Sequence, residues 1–341
     1  MVDFYKKYKL AIRIILLLIV LSFLGQFIRN TDFQEIGSYL KKMPFTFLGV
    51  LLLSFLAYLT ATLAWKLCLG NDDSKVGLGQ LFMMRHVGEM LSVFNPTSIV
   101  AGETLKAHYL GKSGVSSENA VSSILLSRIL IILSAVLLTM LSAIYLIVQV
   151  SGVNENLAFA LLAAVLLGGF GYLLARFLLH SRLYLSRLFK NLQNRFGAKY
   201  ISDQLLISVE NVNRTSYIFY NHHRRKFILA FVLSIIHWIF GAAEFYIILK
   251  TLNIDCNVLN AVAIEMGVIL FKTVGAIVPG QVGIEEYANK VMLGMIGVAS
   301  NEVWLVVSIM RRARQLFWLG VAAIFYWMVS PCWACPQNAA R

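Results

Sequence analysis

Long apolar segments alternate with short polar ones along most of this chain. Each apolar segment approaches or exceeds the roughly 20 residues that an α-helix needs to cross about 30 Å of hydrocarbon. The pattern therefore predicts an all-α integral membrane protein, a polytopic helical bundle of about six spans. The apolar segments are residues 10–28, 44–69, 129–150, 157–179, 227–249, 258–278 and 303–329.

Two stretches break the pattern with polar residues. The stretch 78–114 carries too many charged and histidine side chains for a lipid-exposed helix, and Asn95 and Pro96 lie at its centre. Two half-length helices that meet at a proline predict a re-entrant helical hairpin, buried in protein or lining a watery cavity. Residues 258–298 repeat this shape around Pro279 and Gly280. Because 258–278 is also apolar enough to cross fully, its depth stays open.

The two interrupted stretches resemble each other. Residues 96–128 align without gaps with 279–311 and share eight identities, among them Glu103 with Glu286 and Arg128 with Arg311. We call this match, extended at the same offset, the repeat alignment. It predicts a duplication, with inverted copies if both hairpins re-enter; inverted repeats with broken helices are typical of secondary transporters. The predicted parts are a signal-anchor helix and external loop (1–43), repeat 1 (44–150), a linking span and basic loop (151–226), repeat 2 (227–330) and a tail (331–341).

The charge distribution indicates topology more than a ligand. The chain is 59% hydrophobic with a formal net charge of +13, and its basic residues concentrate at segment ends and in the loop 176–226. The positive-inside rule explains this distribution without nucleic acid, and places the loop and the N-terminus in the cytoplasm. The expected partners are membrane phospholipids. Segment 10–28 lacks a following small-residue cleavage site, so we expect it to stay as an anchor.

Arg311, Arg312 and Arg314 lie inside the last apolar segment. The 14 residues 316–329 span only about 21 Å as a helix, less than the hydrocarbon core, so a spanning helix takes arginine into the membrane. Each buried arginine costs about 2.5 to 3.5 kcal/mol and needs a partner. Three interpretations stay open: a buried ion-pair network that fixes packing, a basic pocket for an anionic head group, or side chains that snorkel to the membrane interface. The candidate partners are Glu265, Glu285, Glu286 and Glu302.

The candidate site therefore has three parts. The head-group residues are Arg311, Arg312, Arg314, Glu285, Glu286, Pro279, Gly280 and Gly283; the pseudo-symmetric set is Pro96, Gly102, Glu103, Lys106 and Arg128; the supporting charges are Glu265, Lys272, Glu89 and Arg85. Lys272 is expected to balance Glu265, and His237 with Glu244 to form either a proton relay or a packing pair. We predict no catalytic residue, metal site or cofactor, because nucleotide and HExxH motifs are missing and Cys332 with Cys335 forms a lone CxxC.

These motifs resemble a known family. A proline followed by Gly102 and Glu103, then Arg128, and later "PGQVGIEE" followed by "RRAR" are similar to the lysylphosphatidylglycerol synthase transmembrane-region family, which includes the flippase part of the multiple peptide resistance factor. The resemblance covers most of the chain, from position 44 to position 326. Lys106 stands where the family often has arginine, and Gln281 where a second glycine is common.

The resemblance implies a bacterial inner-membrane protein that moves anionic or aminoacylated phospholipids, or other lipid-linked substrates, between leaflets. No soluble aminoacyl-transferase domain follows Ser330, so lipid synthesis is not expected of this chain. Two alternatives stay open: an integral-membrane transferase with Glu286 as the base, and a non-transporting partner of a separate lipid-modifying enzyme at the cytoplasmic face. The sequence is compatible with an oligomer and leaves the lipid unnamed.

Overall fold

The computed structural model describes residues 43–94, 98–151, 217–275, 283–298 and 300–334, with a few isolated positions. Those residues are helical and contain no strand, which confirms the all-α prediction. A short 3-10 helix, Gly70–Lys75, joins the first two helices. The helices are α1 (Pro44–Cys68), α2 (Leu78–Phe94), α3 (Ser98–Lys112), α4 (Ser117–Ser151), α5 (Arg224–Thr251), α6 (Val258–Val274), α7 (Ile284–Met295) and α8 (Asn301–Ala334).

Three of the described helices, α1, α4 and α5, are long and apolar enough to cross a membrane. The protein is therefore an all-helical membrane protein. Helix α8 contains the predicted segment 303–329 but also carries the arginines, and it is not among the three. The predicted segments 10–28 and 157–179 and most of the loop 176–226 lie outside the described residues.

The remaining helices pair into two hairpins. Helices α2 and α3 have 17 and 15 residues, and α6 and α7 have 17 and 12. At about 1.5 Å per residue, each is shorter than the roughly 30 Å hydrocarbon core. Helix α6 ends at Val274, so the apolar segment predicted up to residue 278 is not one continuous helix. We call α2 with α3 the first hairpin and α6 with α7 the second hairpin.

The first arm of each hairpin packs against a long helix from the other half of the chain, around a central pair of helices. Helices α1 and α5 pack along each other, α2 packs against α8, and α6 packs against α4. The second arm of each hairpin contacts the helix that follows it, α3 on α4 and α7 on α8. Helices α4 and α8 therefore each touch both hairpins, which ties the two halves of the chain together.

The second arms of the two hairpins end in the same way. Gly114 and Gly297, which correspond in the repeat alignment, have φ of 84° and 88°, a left-handed conformation that glycine adopts without strain. The next residue donates its N–H back across the turn in both cases, Val115 to the Leu110 carbonyl at 3.2 Å and Val298 to Leu293 at 3.0 Å. The matched sequence thus gives matched helix ends.

Candidate functional site

Arginines of α8 form a buried network with carboxylates from three other helices. Arg311 is almost fully buried, and its guanidinium lies 2.9 Å from a Glu265 oxygen and 3.3 Å from a Glu285 oxygen. Its Cζ atom also lies over the Phe245 ring, 4.3 Å from the centroid. We call this cluster the arginine network; it comprises Arg311, Arg312, Arg314, Lys272, Glu244, Glu265, Glu285 and Glu286.

A deeply buried pair with a short contact in the arginine network joins Arg314 to Glu244. The Arg314 Nη1 atom lies 2.6 Å from both carboxylate oxygens of Glu244, whose side chain is fully buried. Glu244 was not among the expected partners of the arginines and was paired with His237 instead. The His237 Nδ1 atom lies 2.8 Å from the Ala57 carbonyl oxygen, so each side chain has another partner. The signal that could have identified Glu244 as a partner is its position as a carboxylate within an otherwise apolar span.

Arg312 fixes the chain just before α7. It donates to Glu286 at 2.6 Å and to the backbone carbonyl of Gln281 at 3.0 Å. Glu286 in turn accepts the N–H of Gly283 at 2.7 Å, which caps the start of α7. Gln281 has a φ of 52°, in the left-handed region that favours glycine. The polar backbone at this helix start therefore has partners within the protein.

The arginine network is electrically balanced. Lys272 contacts Glu285 at 3.2 Å, so the expected pairing of Lys272 with Glu265 is wrong. Its eight members are four basic and four acidic side chains. Glu302 accepts from the Ser300 hydroxyl at 2.7 Å at the start of α8, away from the arginines. Pro279 and Gly280 lie outside the described residues.

A second polar cluster surrounds a cavity of about 230 Å³ beside the first hairpin. Arg85 donates to Glu89 at 2.9 Å, and Lys106 donates to Glu103 at 3.2 Å. Arg128 reaches across from α4 and also donates to Glu103. We call this the first-hairpin cavity; its lining is Ala61, Trp65, Arg85, Glu89, Glu103, Lys106, Ile124, Ser127, Arg128, Ile131, Ile132, His237 and Trp238.

Small and apolar residues keep this cavity open. In the repeat alignment, Ala61 stands where the other half has Glu244, and Ile131 where it has Arg314. The ion pair of Glu244 with Arg314 in the second repeat therefore has no counterpart in the first repeat. There, Ala61 and Ile131 occupy the corresponding positions and line the cavity. Gly102 is buried within the first hairpin, where its carbonyl lies close to Gly88. Pro96 lies outside the described residues.

The cavity is bordered by an exposed apolar face of α4. Ile132 lines the cavity and is 59% exposed, and the Arg128 side chain is 43% exposed. Val136, one turn further along α4, is also exposed. An outward apolar face on a helix able to span a membrane is a surface for lipid. The cavity therefore combines buried charges with a border that acyl chains can cover.

The fold and these clusters define an all-helical membrane protein with charged residues held between its helices. The chain belongs to the family described as Lysylphosphatidylglycerol synthase TM region, whose model matches residues 10–323. The predicted resemblance is thus confirmed, and the family indicates a membrane function related to lipids. No curated protein and no solved structure matches the chain.

Proposed function

We propose that this protein moves a phospholipid, or another lipid-linked anion, between the two leaflets of a bacterial inner membrane. The head group would occupy the first-hairpin cavity while the acyl chains lie against the exposed face of α4. One observation carries this proposal: three basic side chains and two carboxylates surround a cavity next to the lipid-facing Ile132. A polar head group crosses hydrocarbon at high cost, and such a site lowers that cost.

Arg128 is the residue best placed to take a lipid phosphate. Its guanidinium is partly exposed at the cavity border, whereas Lys106 lies deeper and is only 7% exposed. Guanidinium groups suit phosphate oxygens because they offer several N–H donors in one plane. In the structure Arg128 and Lys106 share the Glu103 carboxylate. In the proposed mechanism the phosphate takes over these donors as it enters.

We further propose an arrangement of six spans and two re-entrant hairpins as inverted repeats, with the N-terminus in the cytoplasm. The exchanged helix contacts and the matched glycine turns at Gly114 and Gly297 support the repeat. The shortness of α2, α3, α6 and α7 supports re-entry, since none reaches across the hydrocarbon. The basic loop 176–226 supports the orientation through the positive-inside rule.

The arginine network has a different role in this proposal. Its arginines were expected to hold the head group, and that assignment stays a prediction. Because its four basic and four acidic side chains are balanced and mostly buried, we propose that it represents the closed half of the protein. Glu285 and Glu286 would then hold the second hairpin against α8 until that half opens.

The test is leaflet exchange of a fluorescent phospholipid in proteoliposomes. Wild-type protein is expected to exchange the lipid faster than empty liposomes, and Arg128→Ala to reduce the exchange rate at least tenfold. Arg225→Ala, which removes an exposed arginine near the start of α5, is the matched control and is expected to keep the wild-type rate. Wild-type protein that exchanges no phospholipid contradicts the proposal. Formation of a new lipid by the purified protein would favour the transferase alternative instead.

A further inference from the structure

We infer that the first-hairpin cavity selects a phosphodiester head group of net charge −1 that carries hydroxyl donors, and disfavours a cationic, aminoacylated head group. This inference rests on the proposed function, because it names the class of substrate that the same cavity takes. Three independent observations carry it: the charge of the lining, an unused hydrogen-bond acceptor and the size of the cavity.

The lining has one surplus positive charge. Arg85, Lys106 and Arg128 are basic, and Glu89 and Glu103 are acidic. The arginine network, by contrast, has equal numbers of both signs among the described residues. A head group with a single negative charge therefore neutralises the cavity. A head group with a net positive charge adds a like charge to a partly buried, positively charged site, which costs free energy and provides selection against it.

One oxygen of the Glu103 carboxylate has no hydrogen-bond donor among the described residues. Its Oε1 atom accepts from Lys106 at 3.2 Å and from Arg128 Nε at 2.9 Å. Its Oε2 atom is buried and has no hydrogen-bond partner among the described residues. A buried acceptor without a donor is unfavourable. In the proposed mechanism Glu103 turns toward the cavity as the phosphate takes over Lys106 and Arg128, and a ligand hydroxyl that then donates to Oε2 gains free energy on binding. A polyol phosphodiester supplies both the phosphate for the cations and the hydroxyl for Glu103.

The volume of the cavity favours a small head group. The cavity measures about 230 Å³. This is enough for a phosphate with a small alcohol. The cavity is smaller than typical pockets for drug-sized ligands, whose volumes begin at about 300 Å³. An aminoacylated head group would therefore fit the cavity less well, in addition to carrying an unfavourable positive charge.

The test compares three phospholipids that carry the same fluorescent acyl chain: phosphatidylglycerol with charge −1, phosphatidylethanolamine with charge 0, and lysyl-phosphatidylglycerol with charge +1. In proteoliposomes of wild-type protein, phosphatidylglycerol is expected to exchange at least tenfold faster than the lysyl lipid, with phosphatidylethanolamine between them. Native mass spectrometry on the purified protein measures binding of the same three lipids without requiring movement.

Two variants change the cavity charge in opposite directions. Lys106→Met removes the surplus charge and is expected to reduce the preference for phosphatidylglycerol to less than threefold. Glu89→Gln adds one positive charge and is expected to increase the preference. Lys250→Met is the control, since Lys250 lies at the end of α5 outside the cavity lining and is partly exposed. Its lipid preference is expected to match that of the wild type.

The outcomes separate the inference from the proposed function. If the lysyl lipid exchanges and binds as well as phosphatidylglycerol, the charge inference is overturned while lipid movement stands. If no lipid exchanges but phosphatidylglycerol still binds in preference, the translocation proposal fails and the inference about the cavity holds. If the protein neither exchanges nor binds phosphatidylglycerol in preference, both are overturned.

Discussion

Replacing Glu244 and Arg314 with the residues of the first half tests whether the arginine network is a coupled unit. The double variant Glu244→Ala/Arg314→Ile installs the pair that corresponds to them in the repeat alignment, Ala61 and Ile131. Glu244 is 0% exposed and Arg314 is 10% exposed, with both contacts at 2.6 Å. Removing one partner of such a buried pair leaves an uncompensated charge and costs about 3 to 5 kcal/mol.

The double variant removes both charges together. Its cost is therefore expected to be no larger than that of either single variant, which gives a coupling energy of about 3 kcal/mol. The free energy of unfolding is measured by titration with a denaturing detergent, and tryptophan fluorescence follows the transition. Glu244→Ala combined with Lys250→Ala, on the same helix, should be additive. A coupling energy below about 1 kcal/mol for the Glu244 and Arg314 pair would refute the reasoning.

Three further predictions concern other parts of the fold. Gly88→Ala places a Cβ 2.5 Å from the Lys106 side chain and 3.0 Å from the Gly102 carbonyl, so it should destabilise the protein by about 1 to 3 kcal/mol in the same detergent titration. Gly79→Ala, whose Cβ has no atom within 4 Å, is the control and should be nearly neutral. Trp318→Phe loses the 2.8 Å hydrogen bond from Nε1 to the Ser54 hydroxyl and should cost about 1 kcal/mol, but much less when Ser54 is already alanine. Hydrogen bonds from Lys75 and then Asn119 hold the pKa of the Asp72 carboxyl below its usual value, in the connection between α1 and α2. The ionised Asp72 carboxylate therefore stabilises the folded protein above the unfolded pKa of about 3.9, and this stabilisation is lost as the pH falls through the lowered folded pKa. Asp72→Asn should flatten the acid side of a plot of melting temperature against pH, and an unchanged plot would count against this.

The hydrophobic pattern was sufficient to predict the helical membrane fold. Long apolar runs predicted α1, α4 and α5, and prolines and glycines between charged residues predicted the breaks within the hairpins. These are local signals, because helix length and backbone breaks depend on short stretches of sequence. The contacts between hairpins and long helices depend on residues far apart in the chain, and they became visible only in the structure.

The charges of the site were predictable as a set, but their pairing was not. Three arginines in an apolar helix require carboxylates, and Glu265, Glu285 and Glu286 are indeed brought to them. Glu244 is distant from Arg314 in the sequence and is joined to it only by the packing of α5 near α8. All five charged residues that line the first-hairpin cavity, Arg85, Glu89, Glu103, Lys106 and Arg128, were among the predicted site residues. The cavity itself was not predictable, because it depends on small side chains such as Ala61, and empty space leaves no motif in a sequence.

The most direct test of the proposal compares one variant from each cluster in the same leaflet-exchange experiment. Lys106→Met alters the first-hairpin cavity, and Glu244→Ala/Arg314→Ile alters the arginine network, with folding of both checked by thermal melting. If the cavity holds the head group, Lys106→Met lowers the exchange rate of phosphatidylglycerol at least tenfold and the double variant keeps at least half of it. The proposal is contradicted if folded Lys106→Met protein exchanges lipid at the wild-type rate while the folded double variant exchanges none. That result would place the head-group site at the arginine network.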